Sequence, residues 1–231
     1  MDPPNLSRGW WHLPLGRALH DVFRCPVTLE NDANLGALGE AVSGAGRGFP
    51  SVLYITVSTG IGAGFVVDGD IFPGARGFGL EVGHTTVNSP HPVRCACGRE
   101  GCLESLASGS AIATRAWELG FPALGGEVTA RSVAAAAESG APLGHQVMEE
   151  AAGYLAQGIV NFLYVLDPSV VLIGGGVAQS DLFIDLVREA ISAEKLMDPF
   201  QEVPVRQAEL GRFSVITGAK VLAGRLLTAG S

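Results

Sequence analysis

His84, Cys95, Cys97 and Cys102 fall within one short stretch of the chain. Three thiols and an imidazole make up a donor set that closes a tetrahedral structural zinc site. In Cys95-Ala96-Cys97-Gly98-Arg99-Glu100-Gly101-Cys102, glycines stand where a loop must bend back around an ion, and glycine alone tolerates positive φ freely. The alternative is a group of reactive or merely buried thiols beside an unrelated histidine, and the ligand spacing favours the metal. Three carboxylates offer acid–base or polyol chemistry. Asp32 stands between an apolar segment and a helical one, as either an N-cap or a general base that takes a proton from a hydroxyl. Glu81 lies three residues before His84, and Glu104 two after Cys102. A zinc-pinned loop would hold both in register to accept hydrogen bonds from sugar hydroxyls; taken singly, each is equally an ordinary surface charge.

Two glycine loops complete the candidate chemistry. Thr59-Gly60-Ile61-Gly62-Ala63-Gly64 and Gly174-Gly175-Gly176 each follow an apolar strand-like run, and each would let a phosphate or nucleotide approach backbone N–H groups closely. Alone, the first is equally a tight hairpin and the second a close strand-to-helix crossing. Together they favour a nucleotide.

The elements that must carry these residues alternate between α and β. Residues 13–23 read as a helix, 26–29 as a short strand, and the polar residues after it start a helix with Leu35, Leu38 and Val42 on one face. Residues 51–58 form a β-branched run, followed by the first glycine loop and a strand at 65–71 that contains an Asp68-Gly69 hairpin turn. Helices are expected at 107–119, 131–138 and 143–166, the last ended by Asp167-Pro168. A buried strand at 170–173 then leads to the second glycine loop and a helix at 181–193, and a further strand and a helix at 218–227 close the chain.

Composition narrows the class. A chain of 231 residues buries roughly 70% of its unfolded surface. Its 47% apolar and 16% charged residues, with 32 glycines, describe a glycine-rich soluble enzyme. A net charge of -8 argues against a nucleic-acid partner, which needs clustered Lys and Arg. No run approaches the ~18 apolar residues of a membrane span, and Met1-Asp2-Pro3-Pro4 does not open like a signal peptide, so a cytoplasmic protein without a membrane partner is expected. With three cysteines given to metal, Cys25 has no partner and a disulfide framework is not expected.

The run Ser58-Thr59-Gly60-Ile61-Gly62-Ala63-Gly64-Phe65, then Gly74, Glu81-Val82-Gly83-His84, Cys95-Ala96-Cys97 and Gly101-Cys102-Leu103-Glu104 resembles the signature of the ROK family, named from repressors, open reading frames and sugar kinases. Glu30-Asn31-Asp32-Ala33-Asn34 and the stretch from Asp167-Pro168 to Gly174-Gly175-Gly176 resemble its other landmarks, in the same order. The resemblance implies an actin-like, ribonuclease-H-like α/β fold. ATP would bind between two lobes, and a hexose would be phosphorylated at its 6-hydroxyl, as in bacterial ATP-dependent glucokinases. Asp32 would be the catalytic base, and Asn31, Glu81, His84 and Glu104 would hold the sugar. Thr59, Gly60 and Gly62 would line the phosphates, with Gly174, Gly175 and Gly176 by the adenosine. His84, Cys95, Cys97 and Cys102 would bind a structural zinc ion, Mg²⁺ would accompany the phosphates, and the chain would pair as a homodimer.

The resemblance further implies that residues 1–30 are a remnant of an N-terminal lobe and 31–231 the C-terminal lobe, with its zinc loop at 84–102. Pro4-Asn5-Leu6 and Gly9-Trp10 resemble the stretch just before the family's catalytic aspartate, so its opening strand and Asp-x-Gly-Gly-Thr phosphate loop have no counterpart. Loss of that lobe is expected to compromise activity and to expose an apolar face around Val221, Leu222, Leu226 and Leu227. The competing expectations are the sugar-sensing body of a repressor and a zinc-stabilised remnant without ligand. No helix-turn-helix is seen in the sequence, and the persistence of Asp32, Glu81 and Glu104 favours the kinase. The sugar could be glucose, N-acetylmannosamine, fructose or allose.

Overall fold

The structure, a computed structural model, describes residues 13–123 and 126–229. The segment from Pro4 to Trp10 lies outside the described residues. Among those described, a five-stranded sheet has the order β3-β2-β1-β4-β5, built from β1 (Ser51–Val57), β2 (Ile61–Val67), β3 (Asp70–Ile71), β4 (Val170–Gly174) and β5 (Val205–Gln207). Strands β1, β2 and β3 form an antiparallel meander, while β4 runs parallel to β1 and β5 parallel to β4. This mixed order is the ribonuclease-H-like arrangement of an actin-like fold.

Residues Val52, Leu53, Tyr54 and Ile55 are all buried, because helices cover both faces of the sheet and leave no solvent side to demand alternation. The helices are α1 (Leu15–Phe23), α2 (Asp32–Ser43), α3 (Leu103–Ala107), α4 (Gly109–Glu118), α5 (Ala130–Glu138), α6 (Pro142–Leu166), α7 (Asp181–Ala193), α8 (Asp198–Gln201) and α9 (Ser214–Ala229). Leu53, Ile55, Val171 and Ile173 face the large core with α3 to α7. Val52, Tyr54, Val170 and Leu172 face Ala37 and Leu38 of α2, with Val221 and Leu222 of α9 beside them. The pairing of Val52 with Val170 and Tyr54 with Leu172 keeps each set on one face.

Several sequence expectations are corrected. Residues 26–29 form no strand: Leu29 is exposed and no ladder includes it. The helix expected at 107–119 is α4, which starts at Gly109 after the N-cap Ser108, whose Oγ accepts the Ala111 N–H at 3.1 Å, and the short α3 precedes it as a separate helix. Strand β2 begins at Ile61, so Gly62 and Gly64 are strand residues, not loop residues. Gly64 is needed there because a methyl group would sit 2.8 Å from Asn34 Cα, so closely does α2 cross. The face expected to be bare on α9 is mostly covered: Val221, Leu222 and Leu226 are half-buried, and only Leu227 of the four is exposed. No helix among the described residues is long and apolar enough to cross a membrane.

Candidate active site and metal centre

His84 ends a 3-10 turn, Val82–His84, while the cysteines come from a narrow loop on the other side. Cys95 opens a tight turn in which its N–H donates to the Arg99 carbonyl at 2.7 Å and its carbonyl accepts from the Gly98 N–H at 2.9 Å. Gly98 and Gly101 adopt φ of 91° and 71°, the conformations that glycine supplies without Cβ strain. A bridge between Thr86 and Cys102 draws the third thiol to the histidine, at the N-cap position of α3. The four ligand atoms lie within 4.8 Å of one another. His84 Nδ1 is 3.6 Å from Cys95 Sγ, and Cys97 Sγ is 3.6 Å from Cys102 Sγ. Tetrahedral zinc, with bonds of about 2.3 Å to sulfur and 2.0 Å to nitrogen, spaces its ligand atoms roughly 3.5–3.8 Å apart, so the cluster fits that ion.

Burial, reinforced by the neighbouring thiols, pushes the Cys102 thiol up to about 12, whereas the Arg99 backbone N–H holds the exposed Cys97 thiol below its ordinary value. Three thiolates crowded together need a cation, and a divalent ion supplies that charge. Arg99 also donates from Nη1 to the His84 carbonyl at 3.0 Å and from Nη2 to Thr86 Oγ1 at 2.8 Å. This arginine, invisible to ligand spacing, holds the histidine segment against the cysteine loop.

At the start of α2, Asn31 is the N-cap, its Oδ1 accepting from Ala33 N–H at 2.8 Å and Asn34 N–H at 3.4 Å. Asp32 is therefore the first helical residue instead of the cap. It is exposed, with Oδ1 accepting the Ala33 N–H at 2.9 Å. Glu30 braces this turn: its Oε1 accepts from the Asn31 N–H at 2.9 Å and from Asn34 Nδ2 at 2.7 Å. Sequence reasoning assigned Glu30 no role, although a carboxylate just before a cap is the available signal.

Glu104, in the first turn of α3, accepts the Ile61 N–H at 2.8 Å through Oε2. It thereby clamps the first glycine loop to the end of the cysteine loop. A methyl group on Gly60 would collide with that carboxylate, so Gly60 is steric as well as a source of open backbone. The loop is also tied to α4, through Ser58 carbonyl to Gly109 N–H at 2.7 Å and Thr59 carbonyl to Ser110 N–H at 3.4 Å. The second glycine loop lies beside it. Thr56 pairs with Gly174 across the parallel strands, Gly175 has φ of 91°, and a methyl group on Gly176 would come 4.0 Å from Ser58 Oγ. Both loops thus leave the carboxyl ends of adjacent parallel strands, where open α/β sheets bind ligands.

A cavity of about 470 Å³ opens at Thr59, Gly60 and Glu104 and runs between the cysteine loop, α4 and α6. Asn31, Asp32, Glu81, His84 and Gly174 to Gly176 are not part of its lining. Ala33 nevertheless brings the start of α2 over Gly62, whose added methyl would lie 3.4 Å from Ala33 Cβ. Glu81 is exposed at the entrance to the 3-10 turn, beside a second, apolar cavity lined by Phe72, Leu80 and Phe162.

The model of the ROK family matches residues 1–225 of the chain. The chain is 35% identical over 222 residues to a glucokinase of Halalkalibacterium halodurans, covering 91% of this chain and 67% of that protein. It is 32% identical to a xylose repressor of Caldicellulosiruptor bescii, covering 93% of this chain and 56% of that one. Among solved structures, a ROK hexokinase from Thermus thermophilus superposes with a TM-score of 0.79 at 38% identity, covering 89% of this chain and 67% of that one. A ROK glucokinase from Streptomyces griseus in complex with glucose and AMPPNP gives a TM-score of 0.79 at 30% identity, covering 92% and 73%. The chain thus spans 56% to 73% of the lengths of these relatives.

Proposed function

This chain belongs to the ROK family, and on that premise we propose that it serves a sugar kinase that transfers the γ-phosphate of ATP to the 6-hydroxyl of a hexose, with glucose as the sugar. In this reading residues 31–231 form the C-terminal lobe. The observation that carries it is Glu104: one carboxylate reaches the Ile61 N–H of the glycine loop at 2.8 Å while fixed two residues from the metal ligand Cys102. Sugar and phosphate groups brought to such a clamp share one rigid reference, and phosphoryl transfer depends chiefly on positioning.

The 6-hydroxyl proton passes to Asp32. Its Oδ1 is steadied by the Ala33 N–H, leaving Oδ2 for the substrate. A positioned base of this kind contributes about 10²- to 10⁴-fold. The Asn31 side-chain amide, Glu81, Glu104 and His84 hold the other hydroxyls. His84 turns Nδ1 toward Cys95, so its other ring nitrogen is the one to face a hydroxyl. Thr59 and the N–H groups of both glycine loops receive the phosphates. Zinc held by His84, Cys95, Cys97 and Cys102 supplies structural rigidity, and Mg²⁺ with the nucleotide supplies charge neutralisation.

A second reading, the sugar-binding body of a regulator, is favoured by the 32% identity to the xylose repressor. The two separate in one experiment, a coupled ADP-release assay over a panel of hexoses with calorimetric sugar binding alongside. Turnover that disappears in Asp32→Asn while sugar still binds supports the kinase. Sugar binding without turnover in the wild type supports the regulator, and turnover retained in Asp32→Asn removes Asp32 as the base.

A further inference from the structure

The proposed reaction leaves the cavity of about 470 Å³ that opens at Glu104 without a ligand of its own. Of the four side chains given to the hexose, Asn31, Glu81, His84 and Glu104, the last alone lines it. The space therefore continues from the hexose site instead of containing it, and its volume falls in the range of about 300–1,000 Å³ found for small-molecule sites. Glu104 stands at the junction. Its Oε2 is taken by the Ile61 N–H at 2.8 Å, which leaves Oε1 for a ligand.

Polar groups along the cavity are held in place by neighbours, as a binding wall requires. Arg115 donates from Nε to Glu150 Oε2 at 2.8 Å and from Nη2 to Oε1 at 3.4 Å, and Gln146 Nε2 donates to the same Oε1 at 3.0 Å. The Tyr154 hydroxyl is fixed 2.9 Å from Ser89 Oγ. Ile112, Val147 and Ala151 supply apolar surface between these groups. Charge then selects among ligands. The charged lining comprises two arginines, Arg94 and Arg115, against three glutamates, Glu104, Glu118 and Glu150. A polyphosphate chain would meet more carboxylates than guanidinium groups, and like charges repel. A nucleotide base is neutral, but the nucleotide proposed above runs from Thr59 toward Gly174, Gly175 and Gly176, none of which lines this cavity. A sugar ring suits the wall: each hydroxyl both donates and accepts, so it pairs with carboxylate, guanidinium and phenol alike, while its C–H face rests on the apolar surface.

We propose that this cavity is a subsite for a second sugar ring, joined to the hexose at the position that Glu104 holds. The substrate class thereby extends to disaccharides whose terminal hexose is the unit phosphorylated. The proposal rests on the sugar-kinase reading for the place of that first hexose. The competing accounts are a cleft filled by solvent and a site for the nucleotide base.

Titration calorimetry with glucose and with kojibiose, sophorose, nigerose, laminaribiose, maltose and cellobiose tests it, since these glucose disaccharides offer three linkage positions in both anomeric forms. At least one should bind about tenfold more tightly than glucose, the gain of one further net hydrogen bond. Thr114 is an exposed residue of α4 on the cavity wall. In Thr114→Trp, which narrows the cavity away from Glu104, that disaccharide should lose its advantage while glucose binds as before. Hydrogen–deuterium exchange gives a second readout on the wild type: the disaccharide, but not glucose, should slow exchange at 110–118 and 147–154. If Thr114→Trp fails to fold, this readout decides the matter. Glucose binding with no disaccharide bound more tightly overturns the subsite and leaves the kinase reading standing. An advantage that survives in Thr114→Trp, or protection of 110–118 and 147–154 by adenosine instead of the disaccharide, also overturns the subsite. Absence of binding by glucose and by every disaccharide overturns the functional reading and the subsite with it.

Discussion

Glu104 is assigned two tasks, and two substitutions should pull them apart. Ile61 is 6% exposed, and its N–H has the Glu104 carboxylate as acceptor at 2.8 Å. Glu104→Ala leaves a nearly dry N–H without a partner, at a cost of about 1–3 kcal/mol. For a chain of this size each kcal/mol lowers the melting temperature by about 2–4 °C, so the expected loss is roughly 2–12 °C. Glu104→Gln retains one carbonyl oxygen for the N–H and should cost less than about 1 kcal/mol. Sugar binding should show a different pattern. Both variants lose a charged acceptor worth about 1.5–3 kcal/mol, so both should bind glucose roughly 10- to 150-fold more weakly. Thermal unfolding by circular dichroism and titration calorimetry with glucose supply the two readouts. Equal destabilisation by Gln and Ala would refute the clamp, and wild-type affinity in the Gln variant would refute contact with the sugar.

Metal analysis of the purified chain should find one zinc per polypeptide, and Cys97→Ser should lower both zinc content and melting temperature, because structural metal binding is coupled to folding; unchanged stability after the loss of zinc would show the loop to be held by Arg99 alone. The Arg115–Glu150 pair, at 2.8 Å, gives a pH signature. Burial raises the Glu150 carboxyl, but hydrogen bonds from Arg115 and Gln146, with the Arg115 charge, outweigh it and hold it below the ordinary value. A depressed carboxyl stabilises the fold above its unfolded value of about 4.3 and loses that contribution as pH falls through the folded value. Both groups are about a third exposed, so Arg115→Met should cost less than about 1 kcal/mol at pH 7. The difference from wild type should shrink in urea unfolding as pH falls below about 4.3 and vanish once pH passes below the folded value; a penalty that persists there would assign it to packing instead of charge.

The clustering of His84 with Cys95, Cys97 and Cys102 was legible in the sequence because residue identity and glycine placement are local facts. Its outer support was not, since Arg99 acts on His84 and Thr86 across a bridge that only the folded loop creates. Long helices such as α6 and α7 announced themselves through apolar periodicity and their stops. Residues 26–29 misled for a related reason: β-branched composition marks a strand only where a neighbouring strand offers its edge. The ends of β2 were misplaced because Gly62 and Gly64 resemble loop residues, whereas the close passage of α2 is what demands them. Glu40 passed unnoticed because a single glutamate late in a helix reads as solvent-facing, and its four donors come mainly from residues some 170 positions away.

Among the described residues, the borders of the sheet offer a second chain little strand to pair with. Its two borders are β3, of two residues, and β5, of three, too brief to template a neighbouring chain. Pro204 has no N–H to offer, Arg188 Nε covers the Val205 carbonyl at 2.9 Å, and Arg206 places a charge on the border strand. At the opposite border Arg225 binds Asp70 at 3.0 Å and the Gly69 carbonyl at 2.9 Å. A fragment that kept β1, β2 and β4 but lost β5 would present the long, apolar edge of β4 and should precipitate. Trimming from the carboxyl end therefore first uncovers the sheet face that Val221 and Leu222 of α9 shelter and then, beyond Pro204, frees the edge of β4 as well.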